Sequence, residues 1–193
     1  MDGREWLLAD HRELRGFFER GVLRGLSPDQ LRERPGEVGN SIAWCVWHLA
    51  RAEDVVINTI LRQEPQLLVR EDWGPRMRVA DLRVGTGFEA AEVEALSRAI
   101  DLEALDAYWQ AVRQATAAWL PGVPPAELDA VLDVRTRLDA IAPIAPPAAR
   151  EGLIRFWSNR PAAFLVRFPL IHHGYLHIGE MLAIRGRLGV KGF

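Results

Sequence analysis

The chain has a single cysteine, Cys45, and a single lysine, Lys191, among 193 residues. One thiol excludes an intrachain disulfide and any zinc site built from several thiolates. Cys45 lies among apolar neighbours in a helical pattern, which reads as a buried structural thiol rather than a nucleophile. The shortage of lysine is made up by arginine and reads as coding bias. A basic excess is also missing: Lys and Arg total 24 against 26 acids, for a formal net charge of -2. Without it the chain has no electrostatic footprint for nucleic acid or an anionic membrane surface, and neither is expected as a partner. No apolar run approaches the roughly 18 uncharged residues of a membrane span. Met1-Asp2-Gly3-Arg4-Glu5 lacks the charged and apolar blocks of a signal peptide. The expected protein is therefore soluble and cytoplasmic.

Apolar residues make up 49% of the chain, the proportion of an ordinary globular protein. Its length suits one domain, residues 1–193, with a sizeable core. The spacing predicts a first helix from Gly3 to Arg24, with Leu7, His11, Leu14 and Phe18 on its buried stripe. After the breakers Gly25, Ser27-Pro28 and Pro35-Gly36, a second helix is expected from an Asn40 or Ser41 cap to Gln63. There Arg51, Asp54, Asn58 and Arg62 share a polar face, opposite an apolar arc with His48 at its edge. Residues 64–88 read as an irregular excursion. A short helix over 89–99, a break capped by Asp101 and a bundle helix over 102–120 follow. Pro121-Gly122 and Pro124-Pro125 end that helix. Residues 127–159, with Pro143, Pro146 and Pro147, read as a loop with room for one short helix. The last helix should start near Asn159-Arg160-Pro161 and reach Arg187, kinked or loosened at Pro169. Four long amphipathic helices without strands make an all-α four-helix bundle with long irregular connections.

The chemistry concentrates in His173-Gly174-Tyr175-Leu176-His177-Ile178-Gly179-Glu180. Positions four apart share a helix face, so His173 and His177 can reach one ion, and Glu180 returns to that face about two turns on. Two imidazoles on one helix form half a metal site, and His48 on the second helix is the best third ligand. Glu180 could bind the metal, orient a histidine, serve as a catalytic base, or simply pair with Arg185. His11 reads as a core histidine that has found a partner, and His172, about 100° around the helix from His173, as a neighbour rather than a ligand. Trp44, Trp47, Tyr175 and Trp109 could line a pocket, although aromatics at helical spacing usually form core.

Two blocks in this order resemble the DinB-like superfamily of metal-binding four-helix bundles. Trp47-His48-Leu49-Ala50-Arg51-Ala52-Glu53 is similar to that family's second-helix block with its single ligand histidine. His173 to Glu180 is similar to its last-helix pattern of His, three residues, His, one residue, Gly, then Gln or Glu. Helix order and length fit as well, so the resemblance covers most of the chain. It implies His48, His173 and His177 as ligands of a divalent transition metal, zinc or nickel first and iron or manganese next, with open positions for water or substrate. The better characterised relatives use low-molecular-weight thiols such as bacillithiol or mycothiol, as S-transferases or as a maleylpyruvate isomerase. The resemblance therefore implies a small-molecule electrophile and a small thiol as partners. A homodimer is the expected assembly. A related domain serves the iron site of ergothioneine-synthesising sulfoxide synthases. Its motif has one residue fewer between the second His and the Glu, which counts against that activity here. Nothing in the resemblance implies a polymerase or DNA contact.

An ion held by three neutral imidazoles keeps its full charge. It could bring the pKa of water toward neutral, for a hydrolase, or ionise a thiol, for a transferase. Residue types alone permit both, as well as a non-catalytic metal- or ligand-binding stress protein. A bundle without metal would require the three histidines to be accidental. Imidazole accepts zinc, nickel, copper and iron alike, so the metal is left open.

Overall fold

The computed structural model describes residues 3–37 and 39–190; Met1, Asp2, Val38 and the C-terminal segment containing Lys191 lie outside the described residues. Among the described residues every regular element is helical, and one isolated bridge, Val131 with Pro161, is the sole β-type pairing. No helix among them is long and apolar enough to cross a membrane.

Helix α1 (Gly3–Phe17) runs directly into a π-helical turn, Phe18–Leu23. Its buried stripe is Leu8, His11, Leu14 and Phe18, so Leu8 rather than Leu7 opens it. The short α2 (Pro28–Arg32) starts in a capping box, with the Ser27 hydroxyl and the Gln30 side chain each bonding the other's backbone N–H and Pro28 at the first helical position. Helix α3 (Ile42–Asp54) begins where the Ser41 hydroxyl accepts the Trp44 N–H at 2.9 Å. It continues as a π-helical stretch, Val55–Arg62, and stops at Gln63, which takes a left-handed conformation. Single-turn helices α4 (Leu67–Arg70) and α5 (Trp73–Arg76) interrupt the excursion that follows. Helices α6 (Ala90–Ala99) and α7 (Leu102–Trp119) are separated at Asp101, whose carboxylate caps the second by accepting the Ala104 N–H at 3.0 Å.

The stretch before the last long helical segment departs from the sequence reading. Residues 127–159 were expected to form mostly loop, yet the stretch contains the end of α8 (Pro125–Asp129), α9 (Val134–Asp139) and α10 (Pro147–Trp157). Pro147 sits at the first position of α10, where a missing N–H costs no hydrogen bond, so the proline cluster starts a helix instead of preventing one. Helices α11 (Ala162–Arg167) and α12 (His173–Arg187) are joined through a π-helical turn, Phe168–His172, that contains Pro169. The loosening expected at Pro169 is that turn, because a π turn absorbs the hydrogen bond that proline cannot donate.

Four long segments pack as a bundle with α3 at the centre, against both α7 and α12, and every residue of α3 is buried. Phe18 meets Trp109 edge to face with ring centroids 4.9 Å apart, beside Trp47, Ile178 and Met181. Helix α12 lies so close to α1 that a Cβ on Gly174 would stand 2.3 Å from Leu14 Cδ1, so any larger residue there must displace the Leu14 side chain.

Burial of α3 on all sides overturns the expectation of a polar face set apart from the core. Arg51, Asp54 and Asn58 are sealed inside, exposed by no more than 1%. The Asp54 carboxylate accepts from Tyr108 Oη at 2.7 Å, Asn58 Nδ2 at 2.7 Å and the Leu67 and Leu68 backbone N–H groups at 2.9 and 3.0 Å. Arg51 lies 3.5 Å from Asp54 and donates to Gln66 Oε1 and the Leu82 carbonyl at 2.8 and 2.7 Å. On the neighbouring face His11 meets Glu53 at 3.2 Å, and Arg113 donates to the His11 carbonyl. Burial alone would raise the Glu53 pKa, but His11 and Arg113 outweigh it and hold that carboxyl below its ordinary value. His11 is thus a core histidine with a partner.

Asp54→Ala leaves four buried donors and the Arg51 charge without their acceptor, so a loss of about 3–5 kcal/mol in urea unfolding is expected. Tyr108→Phe removes the bond to Asp54 and the longer one that the hydroxyl accepts from Arg51, and should cost about 1–2 kcal/mol. Equal and small effects would show that the network does not bear on stability.

Candidate metal centre

His48 comes from the middle of α3, and His173 and His177 from the first turn and a half of α12. The structure brings all three together: His173 Nε2 lies 3.1 Å from His48 Nε2 and 3.1 Å from His177 Nε2. Zinc bonds of about 2.0–2.1 Å at tetrahedral angles separate ligand nitrogens by about 3.3 Å, so the spacing suits one small cation.

The outer ring nitrogens settle which tautomers are present. His48 Nδ1 faces the Val84 carbonyl, an acceptor only, so Nδ1 carries the hydrogen and Nε2 presents a lone pair. His177 Nδ1 faces the Glu180 carboxylate at 2.8 Å with the same result. His173 Nε2 can offer one hydrogen at most to these two lone pairs, and then its Nδ1, buried without a partner among the described residues, is bare as well. A cation among the three Nε2 atoms removes that conflict, which is the physical reason the donor set fits a divalent metal.

Burial lowers the His48 pKa from 6.5 to about 4, helped by His177 and opposed by the Val84 carbonyl. Burial, with His48 and His177 alongside, lowers that of His173 to about 2. Both imidazoles are therefore neutral near pH 7, as ligands must be. Trp44 stacks on His48 with centroids 4.8 Å apart and planes 12° from parallel, and Phe168 stacks on His173 at 5.4 Å.

Glu180 stands behind His177, on the ring edge opposite Nε2. Its other oxygen accepts from Asn40 Nδ2 at 2.8 Å. The hydrogen bond from His177, then that from Asn40, hold its pKa below the ordinary carboxylate value against burial. Arg185, the alternative partner considered from the sequence, donates instead to the Val22 carbonyl at 2.6 Å. Cys45 is fully buried within reach of His177 and Glu180, and burial first, then Glu180, pushes its thiol pKa well up, which agrees with an inert thiol.

Next to the histidines lies a cavity of about 260 Å³, with His48 and His173 on its wall. Leu153, Phe156 and Trp157 of α10 and Phe168 form much of the rest. Trp44, Trp47, Tyr175 and Trp109 do not line it: Trp47 and Trp109 are core, Tyr175 is exposed, and Trp44 reaches only the rings of the site. His172 is exposed and outside the cluster.

Sequence reasoning missed Val84, Asn40 and the α10 wall. Val84 acts through its backbone, and any residue type supplies a carbonyl. Its placement depends on Gly85, at φ +95, where a Cβ would meet both Trp44 and Trp47 at 2.8 Å. Asn40 is a cap-type residue beside the true cap, Ser41, and that adjacency is its one sequence signal.

In the metal-free protein, His48 and His173 are neutral when folded and free to protonate when unfolded. Below pH 6.5 the unfolded chain binds more protons, so stability is complete above that pH and falls as pH drops toward 4. The His48 shift alone is worth on the order of 3 kcal/mol. Urea unfolding across that range should show a steeper loss in the wild type than in His48→Ala. Parallel curves would mean that His48 is not held neutral by the fold.

A family model described as the DinB superfamily matches residues 20–181. No curated protein matches the chain by sequence. Among solved structures, a crystal structure titled as the conserved protein of locus from Enterococcus faecalis is similar at 15% identity. It has a TM-score of 0.69 and covers 98% of this chain and 99% of its own, which shows a shared fold. With the all-helical bundle and the match over most of its length, the chain belongs to the DinB superfamily.

Proposed function

We propose that the protein is a divalent-metal enzyme that joins a low-molecular-weight thiol, of the bacillithiol or mycothiol kind, to a small electrophile. The observation that carries this reading is the set of three Nε2 atoms facing one another, two with their hydrogens held on the far nitrogen, at the wall of an apolar cavity. His48, His173 and His177 would hold the cation. When bound, it supplies the Lewis acidity that ionises a weak acid such as a thiol near neutral pH.

The chain's own residues do the rest. The Val84 carbonyl and Glu180 carboxylate hold the Nδ1 hydrogens and aim both rings, so Glu180 is assigned as a positioning residue for His177. The aromatic wall of α10 takes the apolar body of the electrophile and keeps water away from it. Cys45 faces Glu180 behind His177 with a raised pKa, so the nucleophilic sulfur must come from outside. In the transfer the thiol releases its proton to solvent, its sulfur bonds to the electrophilic carbon, and the leaving group departs with the displaced electron pair. Hydrolysis at the same cavity would need no added thiol.

Protein purified without an affinity tag or added metal should contain about one transition metal per chain by elemental analysis. His48→Ala, His173→Ala and His177→Ala should each lose it while keeping helical circular dichroism, and full retention in all three would defeat the assignment. Loaded protein should then consume bacillithiol or mycothiol against 1-chloro-2,4-dinitrobenzene, and turnover indifferent to added thiol would favour hydrolysis.

Glu180→Ala should weaken metal binding about 10–100-fold without abolishing it, as expected for a group that orients a ligand. Cys45→Ser should leave turnover nearly unchanged; complete loss would make the cysteine a participant.

A further inference from the structure

A second cavity, of about 670 Å³, is larger than the one at the histidines and distinct from it. Residues 82–84 form the partition. Leu82 and Arg83 face the large cavity and Val84 the small one, and the Val84 N–H is tied to the Ile144 carbonyl at 2.8 Å. This volume is in the range of sites that enclose a small organic molecule.

Its wall is mainly apolar and includes Leu68, Leu82, Ile141 and Ile144. Val69 and Leu82 also stand among the few large apolar side chains left open to solvent, 59% and 43% exposed. Exposed apolar groups gathered at a concave site are a binding signature. Two polar groups of its lining are buried without a hydrogen-bond partner, Thr59 Oγ1 and Arg51 Nε. Thr59 is only 5% exposed, and its hydroxyl has no protein partner among the described residues.

The charges of the lining are matched, with one exception. Arg51 has Asp54, Arg83 has Asp81 and Glu92, and Glu64 has Arg62 and Arg70. Arg137 donates to the Ile60 and Leu61 carbonyls, at the end of the second bundle segment, and no carboxylate among the described residues pairs with it. Asp133, which senses its charge, is taken up by the Thr136 N–H and hydroxyl.

We propose that this cavity is a binding site for a small monocarboxylate with an apolar body, its head group at Arg137 and its hydrocarbon against Leu68, Leu82 and Ile141. The Arg137 guanidinium keeps donors for a carboxylate beyond those given to the two carbonyls. The uncompensated cation selects an anion, and the apolar wall selects what is attached to it.

The test is calorimetric titration of the purified protein with decanoate and with 1-decanol, which shares its chain and lacks its charge. One decanoate per chain is expected, bound at least tenfold more tightly than decanol. Arg137→Gln should erase that preference. Ala140→Trp, placed at an exposed position of the cavity lining, should abolish binding of both. Because Ala140 is outside the core, this variant decides the matter even if Arg137→Gln fails to fold. The proposal is overturned if decanoate does not bind, if decanol binds equally well, or if a folded Arg137→Gln keeps the preference. Decanoate affinity that survives Ala140→Trp also overturns it, since decanoate would then sit elsewhere, such as beside His48.

Discussion

The sealed pair Arg51 and Asp54 is the constraint on which the site depends. Two opposite charges removed from water are tolerable only when their remaining donors and acceptors find partners, and here all but Arg51 Nε do, largely in the excursion that follows α3. Asp54 grips its beginning through the Leu67 and Leu68 N–H groups, and Arg51 grips its far part at the Leu82 carbonyl. Two residues beyond that grip, the chain delivers the Val84 carbonyl to His48. A stretch with little regular structure is thereby anchored at its beginning and again just before the point where a metal ligand needs orienting.

One helix therefore does two jobs. His48, Arg51 and Asp54 fall at successive three-residue steps along α3, each about 60° short of a full turn, so they form a slanted stripe that winds from one side of the helix toward another. The histidine end of the stripe meets α12 and the charged end meets the excursion and Tyr108. This arrangement explains why α3 is buried on all sides although it carries an Arg, a Glu and an Asp. Glu53, one step off the stripe, is satisfied separately by His11 of α1, so the first helix is tied to the third by a polar contact as well as by packing.

The outer nitrogens of the histidines show a division of labour between backbone and side chain. A carbonyl holds His48, a carboxylate supported by Asn40 holds His177, and His173 has an aromatic face against it instead of a polar partner.

The elements legible in the sequence were those governed by local rules. Helical periodicity, the Ser41 and Asp101 caps and the proline inside the last helix marked the four long segments, and the four-residue spacing of His173 and His177 put both rings on one face before any fold was known. What only the tertiary structure decided depended on partners far along the chain. A polar residue in a sequence window looks solvated, so Arg51, Asp54 and Asn58 read as an outer face, and only packing against residues 66–68, 82 and 108 showed them to be core. Prolines 143, 146 and 147 read as loop because their local effect is to break helices, while α10 depends on Pro147 standing at a first turn and on Ile154 and Trp157 finding a core to join. The Val84 carbonyl left no trace at all, since a backbone oxygen is common to every residue and becomes specific only through where the fold sets it.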